Sequence, residues 1–242
     1  MSFEQLNREY FDKMANSYNA KPWQKKMSAY LTDELRKSVD WVGADFFTTN
    51  DPKAKEVRFL DYACGTGMVS RALGPYVTTT RGIDISEKMV ETFNSLASKA
   101  SLPPAQIHAV VGNLLSEPPN KSISGPEFYD FDIAAIGLGF HHMQERVLML
   151  KRIADRLKTG GVLLILDFLI GETEGKKAFD DWPEDSRKAV ATAGFTEEQM
   201  KEVYEEAGFT DFRLKVFEEK IVMEHGGVEK SRICFLAKGT KR

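Results

Sequence analysis

The stretch Leu60-Asp61-Tyr62-Ala63-Cys64-Gly65-Thr66-Gly67 decides how this chain is read. An apolar run from Val57 ends in an aspartate, and two glycines follow within six residues before a helical pattern begins. Small residues between a strand and a helix let backbone N–H groups approach a ligand closely. The same arrangement also serves as a plain strand exit, so the segments downstream have to decide.

Those segments alternate. Val57–Tyr62 reads as a strand, an Ala/Leu helix follows Gly67, and a second strand ends in Gly82-Ile83-Asp84-Ile85-Ser86. A helix over Glu87–Lys99 leads to a strand over Ile107–Val111 and then to the Pro/Ser/Gly loop Ser116–Glu127. A strand over Phe131–Ile136, a helix over Gln144–Leu157, the turn Thr159-Gly160-Gly161 and a strand over Val162–Leu166 complete the pattern. Strands and helices in alternation imply a parallel sheet covered on both faces. The end of the chain differs. After a helix over Thr196–Ala207, the β-rich stretches Phe212–Met223 and Arg232–Lys238 are joined by His225-Gly226-Gly227. So short a connection implies an antiparallel pair. Residues 3–40 are helical in period, and the domain division is a helical cap over 1–50 and one α/β unit over 51–242.

Composition narrows the function. The 242 residues are 42% hydrophobic with a formal charge of -3, which suits a core-forming domain and gives no basic stripe for nucleic acid. Two cysteines, Cys64 and Cys234, form neither a disulfide framework nor a metal pattern. The longest apolar run, Gly161–Gly171, is half a membrane span and contains Asp167. The expectation is a cytoplasmic protein with no membrane and no nucleic-acid partner.

Three polar residues close three successive strands. Asp61 ends the first, Asp84 ends the second, and Asn113 follows the third. An acid at the second position can accept both hydroxyls of a ribose, and an amide can pair with an adenine edge. Singly, Asp84 could be a helix N-terminal acid and Asn113 a turn residue. Together they describe an adenosine laid across the sheet edge. A dinucleotide fingerprint asks for a third glycine, where this chain has Ser70.

In this order Asp-Tyr-Ala-Cys-Gly-Thr-Gly, Gly-Ile-Asp-Ile-Ser, Gly-Asn-Leu, Phe-Asp-Ile-Ala-Ala-Ile and Thr-Gly-Gly-Val-Leu-Leu-Ile resemble the class I S-adenosylmethionine (AdoMet)-dependent methyltransferases. The nearest likeness is to the small-molecule enzymes similar to the ubiquinone/menaquinone-biosynthesis methyltransferases. It covers residues 57–170 and extends to the final hairpin. The resemblance implies a Rossmann-like, seven-stranded, mostly parallel sheet with a C-terminal antiparallel hairpin and an N-terminal helical lid. It implies AdoMet as cofactor, with Asp61 and the Ala63–Gly67 backbone, Gly65 and Gly67 included, holding its methionine portion. Asp84 would take the ribose, Ile85 and Leu114 would flank the adenine, and Asn113 would bond its edge. Gly137 would border the cofactor at the fourth strand, and Tyr18 would close over it. Ala63 replaces the usual first glycine and requires a negative φ; Asn113 stands where aspartate is frequent.

The chemistry would sit at Gly137–Met143, which holds His141 and His142 as candidates for taking a proton from the acceptor or orienting it. Either histidine could instead cap the next helix or pack beneath it. The acceptor pocket is expected from Tyr18, Trp23, Phe140, Phe179 and Trp182, with residues 171–195 as its second wall. Asp167 could line it or cap the chain, Cys64 reads as a structural filler, and no metal site is expected. The reading is a methyltransferase acting on a small organic acceptor. The alternatives are an NAD(P)-linked oxidoreductase and a non-catalytic partner subunit; the oligomeric state stays open.

Overall fold

The computed structural model of the chain describes residues 1–15, 17–18, 20–46, 55–171, 184–225 and 228–242. Helices α1 (Phe3–Met14), α2 (Pro22–Lys37) and the single turn α3 (Val39–Val42) precede the first strand. α1 opens in a capping box: Gln5 N–H donates to Ser2 Oγ at 3.2 Å and Ser2 N–H to Gln5 Oε1 at 2.9 Å. Two orphan donors of the first turn are thereby satisfied. Pro22 starts α2, where a missing N–H has no partner to lose.

The alternating region forms β1 (Arg58–Tyr62), α4 (Met68–Leu73), β2 (Thr79–Asp84), α5 (Glu87–Lys99), β3 (Ile107–Val111), β4 (Phe131–Gly137), α6 (Arg146–Ala154) and β5 (Leu157–Leu169). After it come α7 (Glu184–Ala189), α8 (Glu197–Glu206), β6 (Phe209–Val216), β7 (Ile221–His225) and β8 (Val228–Lys241). The strand order is β3-β2-β1-β4-β5-β8-β6, parallel from β3 to β5 and antiparallel at β8 and β6. The order reverses between β1 and β4, and that reversal opens a crevice beyond the strand ends.

β5 shows why an unbroken apolar run is a strand here. Leu163 and Ile165 enter one core with Leu150, Ile153, Met200 and Tyr204 of α6 and α8. Leu164 and Leu166 enter the opposite core with Leu31 and Leu35 of α2 and Val69 and Leu73 of α4. Side chains alternate across a strand, so a sheet with both faces covered needs apolar residues at every position. α5 covers the remaining edge by setting Val90 and Phe93 against Cys64 and Ala109.

Two boundaries and one count differ from expectation. The sheet has eight strands, not seven, because the stretch Phe212–Met223 is two strands, β6 and β7. Phe217, 1% exposed and bonded through its N–H to the Cys234 carbonyl at 2.9 Å, anchors the break. The fourteen-residue β8 is long enough to serve both: β6 pairs with its C-terminal part and β7 with its first five residues. The expected helix Gln144–Leu157 ends at Ala154, since Leu157 already pairs with Phe131. Within the 1–50 segment, α2 contributes Leu31 and Leu35 to the core, whereas α1 lies across the crevice.

Candidate active site

The crevice holds a cavity of about 390 Å³, floored by the exits of β1, β2 and β4 and roofed by α1 and Tyr18. Asp61, at the end of β1, is 1% exposed and receives both the N–H (3.0 Å) and the hydroxyl (2.6 Å) of Ser70 on one oxygen. Ser70, the residue in place of a third glycine, therefore ties α4 to the strand. Burial pushes the Asp61 carboxyl up to about 7 against those two bonds.

Asp84 organises the loop opposite. Gly65 N–H donates to its Oδ2 at 2.8 Å and Ser86 N–H to its Oδ1 at 2.9 Å. Burial raises it to about 6, opposed by those N–H groups. Gly65 has φ +50 and open space where a Cβ would stand, so its backbone faces the cavity unobstructed. Gly67 behaves differently. It is absent from the cavity wall, and a Cβ on it would come within 2.7 Å of the Phe93 ring, so it serves the packing of α5 on the loop. Gly137 lines the cavity, and a Cβ there would overlap Val69.

Ala63 corrects the expectation of a negative φ: its φ is +54, in the left-handed region. Leu138, at the exit of β4, also has φ +54. Both line the cavity, and each carries a conformation costing an L-residue roughly 1–2 kcal/mol. The chain turns sharply on both sides of the crevice, with only 3.0 Å between Ala63 Cβ and the position of a Cβ on Gly139.

At the third strand, Asn113 lines the cavity, but its Oδ1 accepts from Leu115 N–H at 2.9 Å and Tyr62 O–H at 3.2 Å. The acceptor half of the amide is engaged within the protein, which leaves the donor half to meet a ring nitrogen. The same turn changes which leucine faces inward. Leu114 is 7% exposed in the core, and Leu115 takes the place in the cavity wall expected for it. Ile85 lines the cavity.

The two histidines divide. His141 is buried outside the cavity lining, with its Nδ1–H donating to Asp167 Oδ1 at 2.8 Å and its backbone N–H to Asp167 Oδ2 at 3.0 Å. Asp167, fully buried, thus pins the loop after β4. His142 lines the cavity. Its Nδ1 lies 2.6 Å from the Ala189 carbonyl, which can only accept, so Nδ1 carries the proton. Burial, reinforced by the adjacent His141, holds its pKa well below the usual imidazole range. The ring is therefore neutral, with Nε2 as an acceptor, and Phe11 sets its ring edge-on at a centroid distance of 4.9 Å.

The expected acceptor walls are revised accordingly. Phe140 is fully buried, 5.2 Å from the Phe195 ring, and Trp23 packs on the second core. Phe3, Phe11, Met27, Leu31, Met143 and Met149 supply the apolar surface instead. Phe179 and Trp182 lie outside the described residues. Of the second wall, α7 reaches the site through Ala189 and through Ser186, whose hydroxyl is 3.1 Å from that of Tyr10.

The roof is fastened at one further point. Asp12 Oδ1 receives the Ser86 hydroxyl at 2.6 Å and the Lys88 N–H at 3.2 Å, at the start of α5. Tyr18 joins the wall beside Asp84, and burial pushes its phenol up to about 12. Cys64 is buried and its thiol is raised well above the usual range, so it carries no thiolate. Among the described residues no group of three or more His, Cys, Asp or Glu could hold a metal, and no helix is long and apolar enough to cross a membrane.

A parallel sheet reversed at β1 and β4 and closed by antiparallel strands is a Rossmann-like domain, and the carboxylates at two of its strand ends suit a nucleoside. Residues 60–163 match the methyltransferase domain family. An uncharacterized methyltransferase of Schizosaccharomyces pombe is 30% identical over 119 residues, covering 49% of this chain and 41% of that protein. The chain thus spans less than half of that relative's length. A demethylmenaquinone methyltransferase of Staphylococcus aureus is 25% identical over 73% of this chain and 77% of its own. The fold matches the magnesium protoporphyrin IX methyltransferase of Synechocystis PCC 6803 with bound AdoMet, at TM-score 0.60 and 16% identity, over 100% of this chain and 98% of that one. The chain is thus similar to methyltransferases in sequence across residues 60–163 and in fold over its whole length.

Proposed function

We propose that this protein transfers a methyl group from AdoMet to a small organic acceptor carrying a thiol, phenol, amine or activated carbon. The observation that carries the reading is the single cavity wall shared by a nucleoside-type floor, Gly65, Asp84 and Asn113, and a neutral imidazole, His142. The residues fit the cofactor: Gly65 leaves open space where a Cβ would stand, Asp84 has lone pairs beyond those its two N–H partners use, and Asn113 offers a donor. Bound AdoMet would supply a methyl on an already activated sulfonium.

The protein's share of the chemistry is alignment, exclusion of water and handling of one proton. Asp84 orients the ribose and the loop at once, and buried carboxylates favour a cationic ligand. His142 Nε2 receives the acceptor's proton or orients the group that carries it. His141 and Asp167 act through position, by holding the loop from which His142 projects. α1, Phe11 and Tyr18 form the lid that keeps water out. The name of the S. aureus relative adds quinol rings to the acceptors worth testing. The mild acidity of the chain supports an acceptor other than nucleic acid, and two unpaired buried cysteines support a reducing compartment such as the cytoplasm.

Calorimetry with AdoMet, followed by methyl-transfer assays on thiols, phenols, amines and quinols beside peptides and RNA, tests the reading. Micromolar-range AdoMet binding with transfer to a small molecule is expected. Transfer to peptide or RNA alone would remove the small-molecule assignment, and absence of AdoMet binding would remove the whole reading.

A further inference from the structure

Phe3, Glu4, Asn7 and Phe11 are the α1 residues that line the cavity, and Phe3, Asn7 and Phe11 are spaced one turn apart. Asn7 is the buried residue of that helix, at 3% exposure, although it interrupts an apolar stripe. Its Nδ2 donates to the Phe3 carbonyl at 3.1 Å. A carbonyl can only accept, so this bond fixes the amide's orientation and turns Oδ1 away from it. That oxygen is sealed from water and has no hydrogen-bond partner. Leucine would complete the stripe without leaving a buried acceptor unmet, so the amide is unfavourable for packing alone.

The rest of the wall has the same polarity. His142 presents Nε2 as an acceptor, since its Nδ1–H is held by Ala189. Glu4 and Glu145 add carboxylates to those of Asp61 and Asp84, with Glu4 paired to Arg8 at 3.1 Å. Among the described residues that line the cavity there is no lysine and no arginine. An anionic acceptor would be desolvated beside acidic side chains without a counter-charge among the described lining residues.

We propose that the cavity selects a methyl acceptor that donates a hydrogen bond to Asn7 Oδ1 and bears no negative charge: an uncharged hydroxyl compound or a cationic amine, not a carboxylate or phosphate. This rests on the methyl-transfer reading of the cavity and makes Asn7 a specificity residue of the lid. Three probes on one skeleton test it: tyrosol, tyramine and 4-hydroxyphenylacetate, titrated into the full chain saturated with S-adenosylhomocysteine. Tyrosol and tyramine should bind at least about tenfold more tightly than the carboxylate. Asn7→Leu should weaken tyrosol by about five- to twentyfold and raise the melting temperature, with S-adenosylhomocysteine affinity held within about twofold. Asn7→Asp, which keeps an acceptor and adds charge, should strengthen tyramine and weaken the carboxylate further. Equal binding of the three probes, no binding of tyrosol and tyramine, or an Asn7→Leu variant that binds tyrosol normally overturns the proposal. A fall in S-adenosylhomocysteine affinity in Asn7→Leu assigns the donor to the cofactor and overturns it equally. Titration of S-adenosylhomocysteine into the unaltered chain separates the two levels. No binding there defeats the methyltransferase reading, whereas normal binding with failed probes defeats only the selectivity.

Discussion

The floor of the cavity and its roof satisfy their polar groups by opposite means. In the floor, Asp61 and Asp84 are buried, and each is tied by short bonds to the loop or helix that follows its own or a neighbouring strand. Those bonds exist before any ligand arrives, so the proposed nucleoside subsite is preorganised. The roof is a twelve-residue helix fastened by side chains, chiefly Asp12 to Ser86 and Lys88, and Tyr10 to Ser186. It also contains an unmet buried acceptor in Asn7. A floor built on strand ends can be rigid at little cost, because the sheet ladder already holds it. A roof proposed to admit and release ligand would draw on few, separable contacts, as this one does.

Substitutions at the junction of floor and roof should have the largest effect. His142→Ala is expected to lower turnover by about 10²-fold if Nε2 takes the acceptor's proton. Asp167→Asn, which disturbs the anchoring of His141 and the acceptor of the Phe168 N–H, should cost less and leave the shape of the pH–rate profile unchanged. Equal losses in the two variants, read from kcat and KM across pH, would place catalysis on the pair instead of on His142.

The floor comes next. Asp84→Ala removes the acceptor of two buried N–H groups and should weaken AdoMet by about 1.5–3 kcal/mol in calorimetry. The carboxylates also give this region a pH signature. Asp61 and Asp84 have folded values near 7 and 6, above the unfolded value of 3.8. A raised carboxyl favours folding while protonated, so their contribution is full below about pH 4 and is lost as pH rises through 6 to 7. If the ionised forms hold AdoMet as proposed, its affinity should rise across that upper window. Melting curves with and without AdoMet between pH 5 and 8 should therefore diverge as pH increases; parallel curves would separate these carboxylates from cofactor binding.

A smaller loss is expected for the roof. Asp12→Ala removes the acceptor for Ser86 and Lys88 and should raise KM for either substrate by about fivefold, with the sheet's stability changed by about 1 kcal/mol or less. A fall in melting temperature of more than about 8 °C would show that α1 belongs to the body and not to a cover. The smallest effect tests the strain in the floor. Ala63→Gly should stabilise the protein by up to about 1 kcal/mol, because glycine adopts φ +54 without a Cβ penalty.

Much of the floor could be read in the chain itself. The Asp61-to-Gly67 turn, Asp84 and Asn113 each stand where a strand stops, and strand ends follow from local apolar periodicity. The readings that needed correction depended on contacts distant in sequence. Gly67 was assigned to ligand but faces Phe93, 26 positions later. Leu114 and Leu115 exchange roles because Asn113 folds its amide back onto the Leu115 N–H. Asn7 went unnoticed because an asparagine on a helix ordinarily marks the solvent side; only the cavity beneath it reverses that meaning. The signal was available as an amide spaced one turn from Phe3 and from Phe11.

The sequence by itself therefore determined the sheet, the covered faces and the three strand-end groups that suit an adenosine. Periodicity and turn chemistry act over a few residues and need no partner to be legible. The tertiary structure alone decided which histidine meets the cavity, where Ala63 lies in φ, how β8 serves two strands and what closes the roof. Each of those is settled by a partner far along the chain: Ala189 for His142, Asp167 for His141, Phe217 for the break before β7, and Ser86 for Asp12. Neighbours in space select among conformations that local sequence leaves nearly equal in energy.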